Sequence, residues 1–166
     1  MTMKLSLNDQ RQLDAAEGWL ELGDWAQAKE ELEQITPEMR AHPAVLRVSW
    51  GIYAKAGKWE LAAEAARGII AVLPDNSWGY IHFAYGLHEL KRTKEAKGVL
   101  LPIADKFPDQ YIIQYNLACY CCQLGELKDG LQWLGQAIDL AGKEHIQTMA
   151  LEDHDLEPLW KLIRKI

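Results

Sequence analysis

Gly23, Gly57 and Gly125 fall on a grid of thirty-four residues, with Lys91 in the slot that the series skips. Two places after each stands a bulky or β-branched residue: Trp25, Trp59, Thr93 and Leu127. Five places after each stands a small one: Ala28, Ala62, Ala96 and Gly130. Series that hold phase over so much of the chain mark stacked supersecondary units, none of which can bury its apolar face alone. The units run over 9–42, 43–76, 77–110 and 111–144, in a single repeat domain spanning 1–166 with a C-terminal cap at 145–166.

Each unit reads as two amphipathic helices. In the third, Ser77 to Leu90 has no proline and carries apolar residues at three- and four-residue spacing. After the polar turn Lys91-Arg92, the stretch from Thr93 to Lys106, with Phe107 just beyond it, puts Ala96, Val99, Leu100, Ile103 and Phe107 on one stripe. Pro108-Asp109 then punctuates, as Pro74-Asp75 does one unit earlier. The turn glycines supply the left-handed conformation that ends a helix and reverses the chain within a few residues. The small residue in the second helix permits close approach to the first. Both are needs of the backbone.

This pattern resembles the tetratricopeptide repeat family, whose signature is W-x2-L-G-x2-Y followed by A, F and P within a repeat of 34 residues. The second unit carries Tyr53, Gly57, Ala62 and Pro74, and the third carries Phe83-Ala84, Ala96 and Pro108. The fourth carries Leu117-Ala118, Gly125, Leu127 and Ala137, and the first Ala15-Ala16, Trp19, Gly23-Asp24-Trp25 and Ala28. The resemblance implies an all-α, right-handed superhelical solenoid of four helix-turn-helix repeats with one or two C-terminal capping helices. Two departures carry consequences. Trp50 stands where the family has a small residue, so helix packing there should be wider or shifted by one toward Gly51, and Arg40 replaces the closing proline of the first unit.

Beyond residue 144 the phase stops. Glu144 to Leu151 reads as a ninth helix and Asp155 to Ile166 as a tenth, the latter with Leu156, Leu159, Trp160 and Ile163 on one face. A stack of repeats leaves an apolar end that such helices cover. The Asp153-His154-Asp155 stretch has too few ligands, and no glycine turn, for a calcium loop.

A net charge of −6 argues against the basic stripe of a nucleic-acid binder and against an acidic membrane surface, although a local patch can differ from the total. Met1 to Gln10 has only scattered apolar residues, unlike a leader, and no stretch reaches the roughly 18 apolar residues of a membrane span. Cys119, Cys121 and Cys122 are odd in number and crowded, which is no disulfide framework and fits a reducing, cytoplasmic setting. No serine elbow, phosphate loop, dinucleotide glycines or H-E-x-x-H occurs, and His42, His82, His88, His145 and His154 share no unit position. The chain reads as a binding protein and not an enzyme, with no cofactor and no metal. Cys119, Cys122 and His88 fall short of the four ligands of structural zinc and read as packing.

In the family, positions 2, 5, 9, 12 and 13 of each first helix line the concave face. Carried over, the resemblance assigns to a partner-binding groove Arg47, Lys55, Trp78, Ile81, Tyr85, His88, Ile112, Tyr115 and Cys119. His82 lies one step off that face. Arg47 and Lys55 suit acidic groups, and the aromatic and aliphatic residues suit apolar anchors. Leu156, Leu159 and Trp160 are placed to fold back over the rings of the later units. Leu13 and Glu17 occupy slots where some relatives grip a chaperone's terminal carboxylate, so that clamp is missing. The expected role is a scaffold that holds a peptide or helical segment of another protein, as a monomer or weak homodimer. The alternatives are a small acidic secretion-type chaperone and a structural subunit of a larger assembly.

Overall fold

The computed structural model describes residues 4–166, which fold as helices and connecting turns with no strand among them. Of the stretch Met1 to Gln10, the first three residues lie outside the described residues. Four helical hairpins succeed one another. They are α1 (Leu7–Glu21) with α2 (Trp25–Glu33), α3 (Pro43–Lys55) with α4 (Trp59–Val72), α5 (Ser77–Glu89) with α6 (Thr93–Ala104), and α7 (Tyr111–Gln123) with α8 (Leu127–Ala141). Then come α9 (Lys143–Glu152), a 3-10 turn (His154–Leu159) and the single turn α10 (Trp160–Ile163). The chain divides into two compact units, Met1–Gly86 and Leu87–Ile166.

The periodic residues sit where backbone geometry needs them. Gly23, Gly57 and Gly125 have φ of 84°, 68° and 79°, and Lys91 adopts 63° in the same slot. The second helices start at Trp25, Trp59, Thr93 and Leu127, and Ala28, Ala62 and Ala96 are fully buried. A side chain with a Cβ is strained in the left-handed region that glycine enters freely. Lys91→Gly is therefore expected to raise the unfolding free energy by about 1 kcal/mol, or about 2–4 °C in melting temperature. Thermal denaturation followed by circular dichroism checks it.

In unit 1, Leu13, Ala16, Ala28, Ile35, Val45, Val48 and Ile52 form the core across α1, α2 and α3, with Leu20, Trp25 and Tyr53 packed against it. The close approach demanded by Trp50 does fall on Gly51, where an added Cβ would lie 2.7 Å from Leu20 Cδ2. Arg40, in place of a closing proline, donates to the carbonyls of Glu33 and Ile35 at the end of α2. Buried Asp9, in the first turn of α1, ties that helix to the same loop. Its carboxylate accepts from the Ser6 hydroxyl (2.6 Å), the Thr36 hydroxyl (2.6 Å) and the Thr36 N–H (2.8 Å).

Those donors, the Ser6 hydroxyl foremost, hold the Asp9 carboxyl at about 2 against an ordinary 3.8. A carboxylate depressed on folding adds stability above its unfolded value and loses it as pH falls through the folded one. Asp9→Asn is thus expected to be less stable than the natural chain at neutral pH. The gap should close as pH falls from about 3.8 to 2, which urea midpoints measured across that range will show.

In unit 2, α7 is the most buried helix, enclosed by α6, α8 and the turn at 154–159. Its core gathers Leu100, Ile113, Leu117, Leu134, Ile146, Leu156, Leu159 and Ile163. The expected tenth helix is not continuous: Pro158 lacks the N–H that an α-turn requires, so His154–Leu159 winds as a 3-10 turn before α10. Its apolar face is still used. Leu156, Leu159 and Ile163 are buried, and Trp160 donates from Nε1 to the Ala150 carbonyl at 2.8 Å.

Candidate functional site

The residues assigned to the groove meet two different fates. In unit 1, Arg47 and Lys55 project exposed from α3, and Trp78 lies half-buried on α5 with Tyr85 39% exposed. Ile81 is buried behind them. Trp78 stacks on His82 at 3.7 Å between centroids, and Trp50 meets both edge-on at 5.8 and 4.4 Å. The Arg47 guanidinium lies 5.2 Å from the centre of the Trp78 ring. Tyr85 packs edge-on against Trp59 at 5.6 Å and lies 6.2 Å from Trp50. The result is a run of rings with a cation at one end.

His82 and Trp50 are central to this cluster and are not among the expected site residues. Hydrogen bonds fix both: His82 Nδ1 donates to the Trp78 carbonyl at 2.9 Å, and Trp50 Nε1 donates to the His82 carbonyl at 3.3 Å. Burial first, and the Arg47 charge after it, push the His82 imidazole below its ordinary 6.5, so at neutral pH it stacks as an uncharged ring. The one signal that could have found Trp50 was its size in a slot reserved for a small residue. Trp50 lies against the rings of Trp78, His82 and Tyr85 on α5.

In unit 2, His88, Tyr115 and Cys119 were expected to face a partner, and the chain's own C-terminal segment takes them instead. Tyr115, 4% exposed, donates to Asp153 at 2.9 Å, and the Cys119 thiol lies 3.5 Å from the same oxygen. His88 pairs through Nε2 with Asp155 at 2.8 Å and through Nδ1 with the Thr93 hydroxyl at 2.9 Å. Gln123 donates to the Asp155 carbonyl at 2.9 Å. Ile112 stays half-buried. The physical reason is two-fold: Leu156 and Leu159 must be buried, and burying them brings the flanking carboxylates onto the polar groups of α7.

Burial foremost, and Asp153 beside it, push the Cys119 thiol well up, and burial lifts Cys121 to about 11. The Tyr115 phenol is raised by burial too, while the bond from His88 lowers the Asp155 carboxyl. Among the described residues no three histidine, cysteine, aspartate or glutamate side chains gather as a metal site, and no helix is long and apolar enough to cross a membrane.

Solved structures of this build are known. MamA from residue 41 to its end, of Desulfovibrio magneticus RS-1, superposes with a TM-score of 0.75 at 17% identity, over 98% of this chain and 94% of that one. A thermophilic TPR protein of Thermus thermophilus gives 0.68 at 17% identity, covering 94% and 95%. The chain has the tetratricopeptide-repeat fold. A further MamA structure, from AMB-1, gives 0.69 at 18% identity over 95% of this chain and 91% of that one. No protein-family model matches the sequence, and neither does any curated protein.

Proposed function

We propose that the chain is a protein-interaction scaffold that holds a segment of a partner protein on the α3–α5 face of unit 1. The observation that carries this reading is the ring cluster of Trp50, Trp59, Trp78, His82 and Tyr85, left partly open to water with Arg47 and Lys55 beside it. Partly exposed aromatics next to arginine are the composition of binding hot spots. The matching segment bears a carboxylate to meet Arg47 or Lys55 and an apolar side chain to lie against Trp78 and Tyr85. The His82 ring of this face is held uncharged by burial and by the Arg47 charge, which outweigh its hydrogen bond to the Trp78 carbonyl.

The test places a photo-crosslinking phenylalanine analogue at Tyr85 in cells and identifies the adducts by mass spectrometry. One discrete partner should be trapped from Tyr85, lost on Arg47→Glu, and not trapped from the same analogue at Leu7, an exposed residue at the start of α1. Adducts that ignore Arg47→Glu, or none at all, would overturn the assignment.

A further inference from the structure

Apart from the aromatic run, α6, α7 and α8 of unit 2 border an open cleft of about 370 Å³. Asp105, the C-cap of α6, and Asp139, in the last turn of α8, both line it, with Gln114 and Gln136 beside them and Trp133 and Leu140 as its apolar wall. None of the described residues lining it carries a positive charge.

Both carboxylates stand where local structure disfavours them. The C-terminal end of a helix carries partial negative charge on its unpaired carbonyls, and an anion there is destabilising. Neither α6 nor α8 has a basic residue in its last turn to offset this. A second observation is independent of the charges. Gln114 is 4% exposed, and its Oε1 finds no hydrogen-bond donor in the protein. A buried acceptor left unsatisfied is costly, and an amide can turn its oxygen toward a donor that enters the cleft.

We propose that this cleft binds the guanidinium of an arginine side chain presented by a partner chain. Guanidinium offers five donors in a planar fork, sheds water more readily than an ammonium, and stacks on an indole face. Two carboxylates, a carboxamide oxygen short of a donor, and Trp133 are the groups such a fork satisfies. The site is separate from the α3–α5 face, and its test does not depend on that reading.

The experiment titrates the full, isotopically labelled chain with N-acetyl-arginine methylamide and follows the Trp133 indole N–H and the Gln114 side-chain amide by NMR. Both signals should shift saturably, with a dissociation constant on the order of 1 mM, as for a single anchoring side chain. The uncharged citrulline analogue should move neither. Asp105→Asn and Asp139→Asn, both exposed positions, should each weaken binding about tenfold, as loss of a charged hydrogen-bond partner does. Gln114→Met should weaken binding while leaving the melting temperature unchanged or higher, which separates a ligand acceptor from a structural one. Equal shifts from the citrulline analogue, or full affinity in the double aspartate variant, would overturn the proposal. So would a Gln114 signal that never moves, the result if water alone fills the cleft. Tighter binding of free agmatine than of the capped arginine would overturn the assignment to a partner chain.

Discussion

Leu156→Ala is expected to lower the unfolding free energy of unit 2 by about 2–5 kcal/mol, the range for emptying a buried leucine site. Leu156 is 0% exposed, and Leu159 and Ile163 are buried with it, so the segment that seals Tyr115 and Cys119 is part of the core. Its polar hooks are weaker than its apolar ones. Tyr115→Phe deletes only the bond to Asp153 and should cost about 1 kcal/mol. If the segment were instead a detachable lid, Leu156→Ala would leave helical content intact and simply open Tyr115 to solvent. The two cases part on one measurement. Urea denaturation followed at once by circular dichroism and by Tyr115 nitration should give a single lowered midpoint. Nitration of Tyr115 in a variant that melts like the natural chain would show a lid and would restore the groove of the later units to the candidate site.

The turns were legible because their requirement is local. A left-handed residue at a helix end asks for glycine, and the same demand recurs at Gly23, Gly57 and Gly125, with Lys91 bearing the strain in the remaining slot. The starts of the second helices followed from the same grid. Local signals also located the end of the periodic region and the apolar face of the terminal segment, although apolar spacing gave no sign that Pro158 changes the helix type there. The occupancy of the first-helix faces was another matter. Tyr115 meets Asp153, and His88 meets Asp155, across 38 and 67 residues of sequence. Such pairings leave no period and no spacing rule in the chain. The same holds for His82, one step off the expected face and yet stacked on Trp78 and met edge-on by Trp50, 32 residues earlier in the chain.

With Tyr115 sealed, the affinity for a partner segment should depend on few side chains, and losing one should be severe. Tyr85→Ala is expected to weaken binding by about 2 kcal/mol, or roughly thirtyfold, as truncating an aromatic hot spot does. Arg47→Glu should weaken it at least as much, because it replaces a cation held over Trp78 with a charge that repels the partner's carboxylate. Tyr115→Phe should change affinity by less than about twofold, since its hydroxyl is already spent on Asp153. Titration calorimetry with the crosslinked segment as a synthetic peptide reads all three. Arg47→Gln distinguishes the roles within the cation's contribution: if charge attraction dominates, the loss shrinks at high salt, and if stacking on Trp78 dominates, it does not. Equal losses from Tyr85→Ala and Tyr115→Phe would mean that the partner pries the C-terminal segment away. That outcome contradicts the burial of Leu156, Leu159 and Ile163, because exposing three such side chains costs about 1.5–3 kcal/mol apiece, and a peptide's contacts would have to exceed that sum before any net affinity appeared.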